Sequence, residues 1–105
     1  MQNELVFTEE GGALVALIDC EIDHHTARRI RERIDERLFL VKPNALVLDF
    51  SAVRFMDSSG VGLILGRSQK AEALGISLRV RGSSPTIIKL LRISGVDKIK
   101  NVAII

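Results

Sequence analysis

The chain has 105 residues, 47% hydrophobic and 27% charged, with a formal net charge of +2 at pH 7. That is ordinary globular material of about one domain's length, so one domain over residues 1–105 is expected and disordered, collagen-like and disulfide-stapled classes are excluded. The net charge is too weak a field to argue for nucleic acid, and with no Trp, no Tyr and four Phe there is little to stack bases on.

Met1-Gln2-Asn3-Glu4 has neither the basic segment nor the apolar run of a secretory signal, so a cytoplasmic protein is expected. Leu5-Val6-Phe7 and Ala13–Ile18 read as two strands joined by a tight turn through Glu9-Glu10-Gly11-Gly12. The second is apolar enough to be covered on both faces. It is also the longest apolar run, far short of the roughly 20 residues that span a bilayer, and no membrane segment is expected. Cys20 has no internal partner, as in chains of reducing compartments. Asp23 then offers a helix N-cap, and Ala27, Ile30, Ile34 and Leu38 follow at spacings of three and four as one apolar stripe. Arg29, Arg33 and Arg37 form a second stripe. With five Arg against three acids over residues 28–37, it reads as a solvated, salt-bridged face.

Pro43-Asn44 breaks that helix, and residues 45–50 are apolar enough for a central strand. A second helix is expected from Asp57 or Ser58 to about Leu74, with Gly75 as a left-handed stop. Residues 76–80 read as a strand. Ser84-Pro85 opens a third helix that carries Ile87, Leu90 and Leu91 and stops at Gly95. Residues 98–105 supply a last short strand. The order β-β-α-β-α-β-α-β predicts an α/β domain with helices packed on a mostly parallel sheet of about five strands.

Phe55-Met56-Asp57-Ser58-Ser59-Gly60-Val61-Gly62 follows a buried strand by one short loop and opens a helix. Helix N-termini present unpaired N–H groups and about half a positive charge. A phosphate on Ser58, bringing roughly −1.5 to −2 charges, is therefore accommodated without unfolding. From Gly60 to Gly66 the helix has no charge and three glycines, each costing up to about 1 kcal/mol against alanine. Val61, Ile64 and Leu65 are expected to pack on the sheet, with Gly62 and Gly66 on a different face and Leu63 on yet another side. The uncharged surface around Met56, Gly60, Gly62 and Leu63 is then expected to meet a partner. Read from the residues alone, Asp57-Ser58 is equally well a plain helix cap, and the glycines a means of tight packing.

Other chemistry finds no support. His24 and His25 point about 100° apart on a helix and have no third ligand in view, so no metal is expected. Ser58 lacks the Gly-x-Ser-x-Gly setting of a hydrolase nucleophile. Gly60-x-Gly62-x-x-x-Gly66 misses the dinucleotide fingerprint by one residue, and no Gly-Lys-Ser/Thr follows. No catalysis and no cofactor are expected.

The block over residues 55–62, with Ile64-Leu65-Gly66-Arg67 after it, closely resembles the phosphorylation loop of STAS-domain anti-sigma factor antagonists. Upstream, Glu21-Ile22-Asp23-His24-His25-Thr26-Ala27 resembles the same family, especially its sporulation sigma-F regulators. Downstream, Ser84-Pro85, Lys89-Leu90 and Ser94-Gly95 also fit, so the resemblance covers most of the chain in order. It implies a STAS fold with the serine immediately after the aspartate, Ser58, as the phosphorylated residue. It implies a partner surface that includes Asp23, His24, Thr26, Met56, Asp57, Ser59, Gly60, Gly62 and Leu63. The implied partner is an ATP-dependent anti-sigma factor kinase, bound by the unphosphorylated form so that a sporulation sigma factor is released. A phosphoserine phosphatase restores that form, and the free protein is expected to be a monomer. A scaffold subunit of another phospho-signalling assembly and a weak nucleotide-binding protein are the alternative roles. Two departures accompany the resemblance: Cys20 stands where the family usually has glycine, and family members usually end in a fourth helix.

Overall fold

The computed structural model describes residues 4–105. β1 (Leu5–Glu10) and β2 (Ala13–Ile18) form an antiparallel hairpin, with Leu5 opposite Ile18 and Glu10 opposite Ala13. Gly11 and Gly12 make the turn at φ +57° and +85°, the left-handed values that a two-residue hairpin connection favours. β1 runs three residues beyond the expected Leu5-Val6-Phe7, because Thr8, Glu9 and Glu10 find ladder partners in Val15, Leu14 and Ala13.

Three crossovers follow. α1 (His24–Val41) leads to β3 (Ala45–Asp49), and α2 (Ser58–Ala73) leads to β4 (Ser77–Arg81). α3 (Pro85–Ser94) and a 3-10 turn over Val96–Lys98 lead to β5 (Val102–Ile104). The five strands lie in the order β1-β2-β3-β4-β5, and β2 to β5 pair in parallel. Right-handed crossovers that step each time to the next strand put their helices on one face of the sheet. The core agrees. Leu14 and Ile18 of β2, Leu46 and Leu48 of β3, and Leu78 and Val80 of β4 share one buried cluster with the helices. Ile30, Ile34 and Leu38 of α1, Ile64 and Ala71 of α2, and Ile87 and Leu91 of α3 complete it.

Among the described residues the opposite face has no helix. Its centre is a separate buried cluster of Ala13, Val15, Ala45 and Val47. Asp49 and Arg81 share that face by alternation along their strands. Arg81 Nε donates to Asp49 Oδ2 at 2.9 Å, and its two terminal nitrogens donate to the Glu10 carboxylate at 3.0 and 2.9 Å. One guanidinium thus ties β4 to β3 and to the end of β1.

The last strand is shorter than the expected residues 98–105. Gly95 ends α3 at φ +81°. Lys98, Ile99 and Val102 N–H then donate to Gly95, Val96 and Ile99 carbonyls at 3.0, 3.2 and 3.0 Å, so tight turns consume the chain up to Asn101. α1 ends at Val41, two residues before Pro43, with Lys42 left-handed at φ +52°. Among the described residues no helix is long and apolar enough to cross a membrane. Because β2 and β3 are parallel, the loops that enter α1 and α2 emerge at the same end of the sheet.

Candidate functional site

A short parallel bridge ties those two loops together. Ile22 pairs with Met56: Ile22 N–H donates to Phe55 O at 3.0 Å, and Asp57 N–H donates to Ile22 O at 3.1 Å. Both bridge residues are buried. The aspartate after each of them caps a helix, Asp23 for α1 and Asp57 for α2.

The two caps differ. Asp23 Oδ1 accepts from the N–H groups of His25 and Thr26, both at 2.9 Å, while Asp23 N–H donates to Thr26 Oγ1 at 2.8 Å. These reciprocal bonds between Asp23 and Thr26 close a capping box, and the Thr26 hydroxyl also donates to Glu21 O at 2.9 Å. Chiefly the Thr26 N–H, with the Thr26 hydroxyl and His25 N–H, holds the Asp23 carboxyl below its usual range. Among the described residues Asp57 Oδ1 accepts only from Ser59 N–H, at 2.7 Å, and the Asp57 carbonyl accepts from Gly60 N–H at 3.0 Å. With glycine three residues on, no box can close. Ser58, the first residue of α2, is exposed.

The glycines of α2 have different reasons. A Cβ on Gly60 would overlap the Met56 side chain at Sδ and Cγ, so this glycine lets Met56 fold under the helix start. At Gly62 and Gly66 a Cβ would meet nothing within 4 Å. Those two positions are open to another backbone, as expected.

The surface expected around Met56, Gly60, Gly62 and Leu63 is corrected. Met56 is 8% exposed, Leu63 is 4% exposed and Gly60 is buried, leaving only Gly62 at the surface. The expected sheet-facing stripe is turned as well: Ile64 is buried, Val61 is half-buried and Leu65 is exposed. The reason is that α2 is buried on two sides. Ile64 and Ala71 join the sheet core, while Leu63 and Arg67 face α1, where buried Arg67 forms an ion pair with Asp35.

The remaining expected residues come together. Asp23, His24, Ser58 and Gly62 are exposed, and Thr26, Asp57 and Ser59 are half-buried. Between α1 and α2 runs an open groove of about 490 Å³. His24, Arg28 and Arg31 line it from α1, Ser59 and Gly62 line it from α2, and Ala27 and Leu63 supply its apolar contacts.

Two residues of this groove, Arg28 and Arg31, were missed from sequence, as was Phe55, 54% exposed beside the buried Met56. A signal existed for the arginines, since His24, Arg28 and Arg31 are spaced i, i+4, i+7 on one helical stripe. The stripe that drew notice, Arg29-Arg33-Arg37, faces β1 instead. Arg29 holds Glu4 at 2.6 Å, Arg33 donates to Leu5 O at 3.2 Å, and the guanidinium groups of Arg33 and Arg37 stack over Phe7 at 5.9 and 4.6 Å.

Residues 4–103 match the family model described as the STAS domain. The anti-sigma F factor antagonist of Paenibacillus polymyxa is 33% identical over 99 residues, covering 94% of this chain and 85% of that protein. The structure of the anti-sigma factor antagonist SpoIIAA in its unphosphorylated form superposes with a TM-score of 0.73 at 27% identity, covering 96% of this chain and 86% of that one. The phosphorylated form of the Bacillus cell fate determinant SpoIIAA gives 0.72 at 29% identity, covering 96% and 90%. With one family model spanning nearly the whole chain, a relative alike over nearly all of it, and the parallel sheet and helix-start loop in their expected places, this chain belongs to the STAS-domain family of anti-sigma factor antagonists.

Proposed function

We propose that this protein is a phosphorylation-controlled switch with no catalysis of its own. In its unphosphorylated form it binds a kinase-type anti-sigma factor through the start of α2, and the sigma factor, one that serves sporulation, is released. The kinase transfers the γ-phosphoryl group of its ATP to Ser58 Oγ, and the modified protein dissociates. A phosphoserine phosphatase returns it to the binding form. It acts in the cytoplasm, as a monomer when free, and without nucleic acid.

The observation that carries this reading is the exposed Ser58 hydroxyl at the first position of a helix whose cap is only partly satisfied. An anion is tolerated there by the free N–H groups and the helix dipole, so modification leaves the fold standing. The contact surface is then Asp23, His24, Thr26, Asp57, Ser59 and Gly62, extended by Phe55, while Met56, Gly60 and Leu63 support it from beneath. Dismissing a partner by a factor of a thousand takes about 4 kcal/mol. A doubly charged group buried against an apolar contact supplies that much.

The test uses the anti-sigma factor that wild-type protein captures from its host in the presence of ADP. On incubation with ATP, one phosphate is expected, on Ser58 by peptide mapping. Ser58→Ala binds and resists dismissal by ATP, and Ser58→Asp binds more weakly. Modification on Ser59 alone, or a folded Ser58→Asp that binds as tightly as wild type, overturns the mechanism.

A further inference from the structure

Arg28 and Arg31 differ from the other arginines of α1. Arg29, Arg33 and Arg37 are committed to Glu4, the Leu5 carbonyl and the Phe7 ring. Arg31 has no ion pair among the described residues, and Arg28 has only Glu32 on its own helix, at 3.4 Å with side chains 71% and 61% exposed. A pair that exposed contributes little and is readily exchanged for a better one. Both arginines line the groove that begins beside Ser59 and the open Gly62.

No acidic residue lines that groove. The carboxylates closest to it in the chain each have a partner, Glu32 facing Arg28 from its own helix. Asp23 and Asp57 each turn Oδ1 onto N–H groups of their own helices, and Asp35, one turn beyond Arg31, is held by Arg67. The charge on the lining of the groove is thus positive, from Arg28 and Arg31, with apolar contacts from Ala27 and Leu63. Because the whole chain carries a net charge of only +2, this positive field is local and not a property of the molecule at large.

A guanidinium fork matches a carboxylate in two parallel hydrogen bonds. An apolar occupant would strip water from two cations without replacing it, and a basic one would be repelled. We propose that this groove receives an acidic segment of the anti-sigma factor, with Arg28 and Arg31 as the residues that select it. The proposal rests on the partner-switch reading above and adds the chemistry of the partner's contact surface. The arginines speed and select the encounter, and Ser58 decides whether it persists.

The experiment measures the Kd for the same captured anti-sigma factor, with ADP, at 50 and 300 mM NaCl. The double variant Arg28→Glu/Arg31→Glu is expected to bind roughly tenfold to hundredfold more weakly at the lower salt and to lose most of the salt dependence of wild type. Arg28→Lys/Arg31→Lys recovers a large part of the affinity. Arg79→Glu, exposed on β4 across the sheet, controls for net charge and stays within a few-fold of wild type. Circular dichroism and thermal melting confirm that each variant is folded. If the double reversal binds like wild type while Ser58→Asp still dissociates, the groove proposal is wrong and the partner switch stands. If the reversal binds normally and slows only phosphoryl transfer, the arginines serve ATP instead, and the proposal is again overturned. If wild type captures no anti-sigma factor, both readings fall together.

Discussion

α1 and α2 begin alike and end their first turns differently. Each follows one half of the Ile22–Met56 bridge, and each is capped by an aspartate. At α1 the residue three positions on is Thr26, whose hydroxyl and N–H close the box on Asp23. At α2 that position is Gly60, which has no side chain to answer Asp57 and whose missing Cβ is filled by Met56. One helix start is sealed and the other is left open beside an exposed serine. The same cap residue therefore serves structure in one place and leaves room for a switch in the other, and the third residue of the helix decides which.

The comparison is broken most forcefully at the glycines. Gly60→Val drives two methyl groups and a Cβ into Met56 and is expected to destabilise the fold by about 1–3 kcal/mol, measured by urea unfolding. Gly62→Ala, two residues on, meets open space. It is expected to leave the fold unchanged or stabilise it by up to about 1 kcal/mol, while weakening partner binding. Equal effects of the two substitutions on unfolding would show that Met56 does not fill the Gly60 position.

A smaller effect sharpens the contrast between the caps. The Asp23 carboxyl titrates below its ordinary value. Its ionised form therefore stabilises the fold above the unfolded pKa of about 3.9, and that contribution is lost as pH falls through the lower folded value. Asparagine keeps the cap but does not titrate. The stability advantage of wild type over Asp23→Asn should be constant above about pH 5 and shrink below about pH 4. An advantage that grows on acidification would mean that the carboxylate is not the favoured form in the fold.

The smallest expected difference is structural. Phosphorylated and unphosphorylated crystals of this protein should superpose with backbone shifts in α2 below about 1 Å, as in other preorganised interfaces. Movement of α2 against the sheet would replace local charge blockade with a conformational switch.

Much of this molecule was legible before any coordinates. Period-three-and-four spacing placed Ile30, Ile34 and Leu38 in the core, Asp23 and Ser84-Pro85 marked helix starts, and Gly75 and Gly95 adopted the left-handed values that helix ends favour. These are local signals, carried by a few neighbouring residues, and the α/β order follows from them. Ser58 at the opening of α2 was legible for the same reason. What the local pattern did not contain was how many sides of a helix would be covered. Leu63 and Leu65 differ by two positions and have equal hydrophobicity, yet one is 4% exposed and the other 42%. Only the packing of α2 against both the sheet and α1 separates them. The strand order, the Arg81 tie across the open face, and the division of the α1 arginines between β1 and the groove beside Ser59 are likewise long-range facts. Spacing along α1 says which arginines share a stripe, but the neighbour that each stripe meets is decided by where the chain returns.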